Sequence, residues 1–161
     1  MAKSLVSTSF TVPLIHSTEH FYFTPLNEDV AELDYEAVMF SQQSLQGIFG
    51  PHSNWPELDM TLEQNIISLN VHKQEFKTRT AFAYSVLNLE QTKCLGSIYI
   101  DPSDFSQYQC VVHFWIRSDS IEQESILFQT IKNWLNDEWN FTQVAFPGRT
   151  ISWQDWLNKL L

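Results

Sequence analysis

The sequence predicts a single α+β domain whose elements follow the order β-α-α-β-β-β-α-β-α. Three observations carry that prediction. Residues 110–135 read as an apolar strand running into an amphipathic helix. Three strand-like runs between 81 and 117 follow one another through short turns, and two helical periodicities precede them. With 161 residues, the chain (1–161) has the size of one domain and enough length to bury a core.

Taken in order, residues 1–18 are mixed and polar around Phe10-Thr-Val-Pro-Leu14. They read as an N-terminal arm with at most a short edge strand, because Pro13 has no N–H for a ladder. Residues 20–26 read as the first strand, stopped by Pro25 and Asn27. Asn27-Glu28-Asp29 supplies a cap and an acidic first turn. Val30, Leu33, Ala37 and Val38 then form an apolar stripe that fades near Gln43. Residues 44–58 form a loop with Gly47, Gly50, Pro51 and Pro56, whose aromatics either pack down or face a ligand. Asp59 or Thr61 caps a second helix with the face Leu62, Ile66, Leu69, His72 and Phe76, ending around Arg79.

Residues 81–87, 93–101 and 110–117 then read as an antiparallel meander, joined by turn chemistry at 88–91 and 102–107. The third run is almost wholly apolar, with no glycine or proline, and predicts a strand buried on both faces in the middle of the sheet. Ser118-Asp119-Ser120 breaks it. Asp119 with Glu122, or Ser120 with Gln123, has capping-box spacing, and Ile121, Leu127, Phe128, Ile131, Trp134 and Leu135 recur at helical spacing. Residues 141–146 give a last strand closed by Pro147-Gly148. Trp153, Trp156 and Leu157 mark the buried face of a terminal helix.

The composition excludes several classes. A net charge of −10 makes this an acidic protein and argues against nucleic acid or an anionic membrane as partner. A chain that is 43% hydrophobic, with six tryptophans and twelve phenylalanines, is not disordered. No apolar run approaches the roughly 20 residues of a membrane span, and the N-terminus reads as no signal peptide. Cys94 and Cys110 fit buried thiols in a reducing, cytoplasmic compartment, with a bridge between neighbouring strands left open. No Cys/His set has zinc spacing, so no metal is expected; His72-Lys-Gln-Glu75-Phe76 lacks the paired histidine four residues on. There is no P-loop and no Gly-x-Ser-x-Gly elbow.

The order of elements, with the phrase Phe23-Thr-Pro-Leu26 leading into an acidic helix start, resembles the GNAT (Gcn5-related N-acetyltransferase) superfamily. More narrowly, Phe82-Ala-Tyr-Ser-Val86, Leu95-Gly-Ser-Ile-Tyr-Ile-Asp-Pro102, Phe114-Trp-Ile-Arg117 and Phe146-Pro-Gly-Arg149 resemble phrases of an uncharacterised bacterial GNAT-like branch. The resemblance covers residues 21–156. It implies a layered α/β/α domain with a mixed, mainly antiparallel twisted sheet, and transfer of an acyl group from acetyl-CoA or another acyl-CoA to a small-molecule or peptide amine. By the same resemblance, Phe114, Trp115, Ile116, Arg117, Ser120, Ile121 and Glu122 line the cofactor, His113 is a base and Tyr99 an acid.

This chain departs from the family pattern in three ways. The family's turn is Arg/Gln-x-x-Gly-x-Gly/Ala; here Arg117 matches, while Ser120 and Glu122 stand at the glycine positions. Asp119, Glu122 and Glu124 would compete with a pyrophosphate for main-chain N–H groups and repel it. The family's C-terminal strand pair is not expected before Leu161, and Trp153 and Trp156 stand where the family often has a tyrosine acid. Three readings follow: an N-acyltransferase, a catalytically degenerate GNAT-fold binding or interaction module, and a homodimer packed through Trp55, Trp153 and Trp156. His113 carries a plainer reading in which it pairs across the sheet or packs among aromatics, His72 one as a satisfied core histidine, and Tyr99 one as a buried tyrosine that only finds a hydrogen-bond partner. Arg149 either meets an anion near the sheet's end, caps the third helix or pairs with a carboxylate.

Overall fold

The structure is a computed structural model and describes residues 4–161; the first three residues of the expected arm lie outside the described residues. Six strands form one sheet in sequence order: β1 His16–Ser17, β2 Tyr22–Pro25, β3 Phe82–Leu87, β4 Cys94–Pro102, β5 Cys110–Ile116 and β6 Val144–Ala145. All neighbours are antiparallel except β5 and β6. Four α-helices, α1 Ala31–Phe40, α2 Leu62–Thr78, α3 Glu124–Glu138 and α4 Trp153–Lys159, complete the α+β domain.

Alternation in the strands assigns the two faces of the sheet. Phe82, Tyr84, Ile98, Ile100, Val112 and Phe114 pack with Leu127, Ile131, Trp134 and Leu135 of α3. Ala83, Leu87, Tyr99 and Trp115 pack with Ala37, Val38 and Leu69 from α1 and α2. The meander strands are therefore covered on both faces, as their apolar runs predict. β5 lies fifth of six strands, paired along its length with β4.

Several boundaries differ for local reasons. The first strand keeps Pro25, whose missing N–H costs nothing at its end. The arm's strand forms at His16–Ser17 and not around Pro13; the phrase before it packs through Phe10 and Val12 against the core. Asn27 caps a short 3-10 turn, Glu28–Val30, before α1 begins. Buried positions of α1 are Ala31, Asp34, Ala37 and Val38, so Val30 and Leu33 stand at the edge of its stripe. Thr61 and Gln64 make a reciprocal capping box on α2. Neither capping box expected after Arg117 forms: Ser118–Gln123 is a 3-10 helix in which Ser120 departs from helical geometry, and α3 starts only at Glu124. The last strand shrinks to two residues. Cys94 and Cys110 are free, buried thiols. Trp156 is buried, while Trp55 and Trp153 pack against the sheet, so the three tryptophans do not form an exposed face.

Candidate functional site

β5 and β6 pair only through Cys110–Val144 and Val111–Ala145, and beyond Val111 the two strands separate. The splay leaves main-chain groups of β5 open on that side. Arg149, carried by the turn after β6, fills it: Nη2 donates to the Phe114 carbonyl at 2.9 Å, and the guanidinium lies 3.6 Å from the centre of the Phe114 ring. Its Nη1 sits 3.4 Å from Glu124 Oε1, so Arg149 pairs with a carboxylate. The turn depends on Gly148, at φ +83°, where a Cβ would stand 2.4 Å from Trp153 Nε1. That close approach lays the Trp153 ring over His113, 5.8 Å between centroids and 12° from parallel. What remains is a cavity of about 260 Å³ bordered by Gly47, His113, Arg149 and Trp153.

The turn expected to hold pyrophosphate is wound into 3-10 geometry and kinked at Ser120, and the Ser120 N–H donates to the Arg117 carbonyl at 3.0 Å. The Ser118 N–H, ahead of it, donates to Ser41 Oγ at 2.9 Å. Arg117 is 2% exposed. Its Nη1 and Nη2 grip Glu36 at 2.9 and 3.1 Å, Nε donates to Asp119 at 2.7 Å, and Nη1 also reaches the Cys94 carbonyl at 3.1 Å. Glu36 and Asp119 raise its pKa further against the opposing effect of burial. Phe114 and Ile116 point into the α3 core, and Trp115 is buried on the opposite face. Of the residues assigned to acyl-CoA by resemblance, Arg117 and the Phe114 carbonyl are thus already taken, by Glu36, Asp119, the Cys94 carbonyl and Arg149. Ile121 and Glu122 stay exposed, and a cofactor would have to displace the partners of Arg117 and Phe114.

The two candidate catalytic groups are cross-strand neighbours, Tyr99 opposite His113. Burial, then the nearby Arg149 charge, pushes His113 down to about 4. Its Nδ1 is buried and has no hydrogen-bond partner among the described residues. A histidine so poised is neutral and a weak base. Tyr99 Oη accepts from Trp115 Nε1 at 3.0 Å, and burial, then Asp34, raises its pKa far above the ordinary value. It stays protonated and serves the packing of the sheet.

A second, larger cavity of about 310 Å³ lies on the same face, between β3–β4 and α1–α2. Phe49 stands between the two cavities, its ring 5.0 Å from Tyr99 and 5.4 Å from His113 and from Trp55. Here the loop aromatics pack down and border a cavity at once. Asp34, Asn65, His72 and Asp101 supply its polar wall. Asn65 Nδ2 donates to Asp34 Oδ2 at 2.8 Å, and burial raises Asp34 to about 6. His72, predicted as a packed core residue, is partly buried with Nδ1 3.4 Å from Glu75 and its pKa lowered by desolvation. Sequence reasoning missed Asp34, Asn65 and Asp101. The available signal was Asp34 between Ala31 and Ala37, and Asn65 between Leu62 and Leu69, polar residues set within apolar stripes.

No family model matches the sequence, and no curated protein sequence matches it either. Solved structures do. The ribosomal-protein-S5-alanine acetyltransferase from Vibrio fischeri aligns at TM-score 0.64 and 14% identity over 92% of this chain and 82% of that one. The microcin C7 self-immunity acetyltransferase MccE, in complex with acetyl-CoA and AMP, aligns at 0.64 and 12% over 86% and 73%. RimL, a ribosomal L7/L12 alpha-N-protein acetyltransferase in complex with coenzyme A, aligns at 0.62 and 13% over 77% and 66%. At these identities the likeness is one of fold.

Proposed function

The chain has the fold of the GNAT superfamily, and we propose that it is a binding module on an acetyltransferase scaffold, with the acyl-CoA slot closed by its own side chains. The observation that carries this is Arg149, which donates to the Phe114 carbonyl inside the splay and stacks on the Phe114 ring. A pantetheine chain entering there would have to displace a guanidinium already paired with Glu124. In the turn that follows, the Ser118 and Ser120 N–H groups are already bonded, to Ser41 Oγ and the Arg117 carbonyl. Location in the cytoplasm belongs to this proposal, on the two free thiols.

A second reading is an acyl-CoA-dependent N-acyltransferase acting on a small-molecule or peptide amine. The splay favours it: β5 and β6 share only two pairs, and a slot follows. The variant Ser120→Gly/Glu122→Gly/Arg149→Ala separates the two. On the module reading, coenzyme A binds this variant measurably by calorimetry and binds the parent protein at least tenfold more weakly. Equal, tight binding by both proteins overturns the module reading and favours the transferase.

A further inference from the structure

We infer that the cavity left beside the β5–β6 splay is a site for a small carboxylate with a flat apolar body, its two oxygens held by Arg149. The inference rests on the binding-module reading, since it takes the slot as closed to acyl-CoA and names what the remaining space holds instead. Arg149 is the lone arginine or lysine on the wall among the described residues, and its donors are incompletely used. Nη2 donates to the Phe114 carbonyl at 2.9 Å, and Nη1 faces Glu124 at 3.4 Å. Among the described residues the other guanidinium N–H groups meet no acceptor. A guanidinium presents its donors as a planar fork that matches both oxygens of a carboxylate.

Two further donors stand on the same wall. His113 is held neutral, and its buried Nδ1 has no partner among the described residues, so its ring N–H is uncommitted. The Trp153 N–H, packed beside Gly148, likewise meets no acceptor among the described residues. What the wall lacks sets the sign of the ligand. In a chain of net charge −10, no Asp or Glu borders this cavity among the described residues. Glu124 stands outside the wall and is 37% exposed, so solvent screens its hold on Arg149. After burial, the Arg149 charge is what opposes protonation of His113, so the local potential is positive. A cation would meet Arg149 with no carboxylate to offset it, and a neutral molecule would leave the half-desolvated guanidinium without a counter-charge. Inorganic phosphate would supply the charge but leave Ile48, Pro147 and the Trp153 ring uncovered. A volume of about 260 Å³ suits one small aromatic acid and excludes a coenzyme.

The test is calorimetry of the full chain with benzoate, benzamide, benzylamine and inorganic phosphate. Benzoate is expected to bind roughly tenfold or more tighter than benzamide, with no binding of the amine or of phosphate. Arg149→Gln is expected to bring benzoate down to the level of benzamide. Should Arg149→Gln fail to fold, Glu124→Gln at its half-exposed position carries the test. It removes the rival carboxylate, and is expected to strengthen benzoate by about threefold while leaving benzamide unchanged. Equal binding of benzoate and benzamide by the parent, no binding of benzoate at millimolar concentration, phosphate binding as tight as benzoate, an undiminished preference in Arg149→Gln, or no gain in Glu124→Gln would overturn the inference. Coenzyme A titrated separately keeps the two readings apart. Tight coenzyme A binding removes the module reading whatever benzoate does, and a silent coenzyme A titration without a benzoate preference removes this inference alone.

Discussion

Replacing Arg117 by alanine separates a structural arginine from a phosphate ligand. The guanidinium is anchored by Glu36, Asp119 and the Cys94 carbonyl, and it lies 4.7 Å from the centre of the Phe40 ring. Glu36 is 55% exposed and re-solvates once its partner leaves, so the pairing itself is worth at most about 1 kcal/mol. The larger loss comes from the buried Cys94 carbonyl left without its donor, about 1–3 kcal/mol. Lost packing of the buried stem adds to it. The sum is about 2–4 kcal/mol, or a melting temperature lower by roughly 5–15 °C for a domain of this size. Urea unfolding followed by tryptophan fluorescence measures it directly. A loss below about 0.5 kcal/mol, the usual range of a surface substitution, would refute the reasoning and return Arg117 to the pool of groups available to a ligand.

Asp34 and His113 impose opposite pH dependences. Asp34 releases its proton near 3.8 in the unfolded chain and near 6 in the fold, so the folded state binds more protons in that window and stability falls as pH rises through it. The two pKa values differ by an amount worth about 3 kcal/mol, and Asp34→Asn should gain stability relative to the parent as pH rises from about 4 to 7 in denaturant titrations. His113 binds its proton near 6.5 unfolded and near 4 folded, so its stabilisation is present above 6.5 and is lost as pH falls towards 4. His113→Phe removes that loss and also the unpaired buried Nδ1, so it should be more stable than the parent by about 1 kcal/mol or more in acid, read by thermal melts. Gly148→Ala strains the φ +83° turn and drives a methyl towards Trp153 Nε1, so it should lower stability by about 1–3 kcal/mol and red-shift tryptophan emission as Trp153 leaves His113.

The strands were legible because runs such as 82–87, 94–100 and 110–116 are apolar on both faces, and a sheet covered by helices on both sides needs that pattern. The order of elements followed from them. The 3-10 turn at Ser118–Gln123 was not legible: Asp119, read as a cap, spends its carboxylate on Arg117, a choice made by tertiary packing. His16–Ser17 is too short for any periodicity to register. At the site, Arg117 and His113 were visible as residue types, whereas what occupies them comes from far along the chain. Glu36 and Arg149 reach them across the fold, and Trp153 arrives through the Gly148 turn. Asp101 looked like a strand-end residue before a proline, and only the placement of α2 gives it a cavity to face.

The claim on which the account turns is that the chain's own arginine, tryptophan and wound turn occupy the place where acyl-CoA would lie. Titrating the unmodified protein with acetyl-CoA in a calorimeter addresses it most directly. The account predicts no saturable heat up to millimolar ligand; a one-to-one isotherm with a micromolar dissociation constant would contradict it.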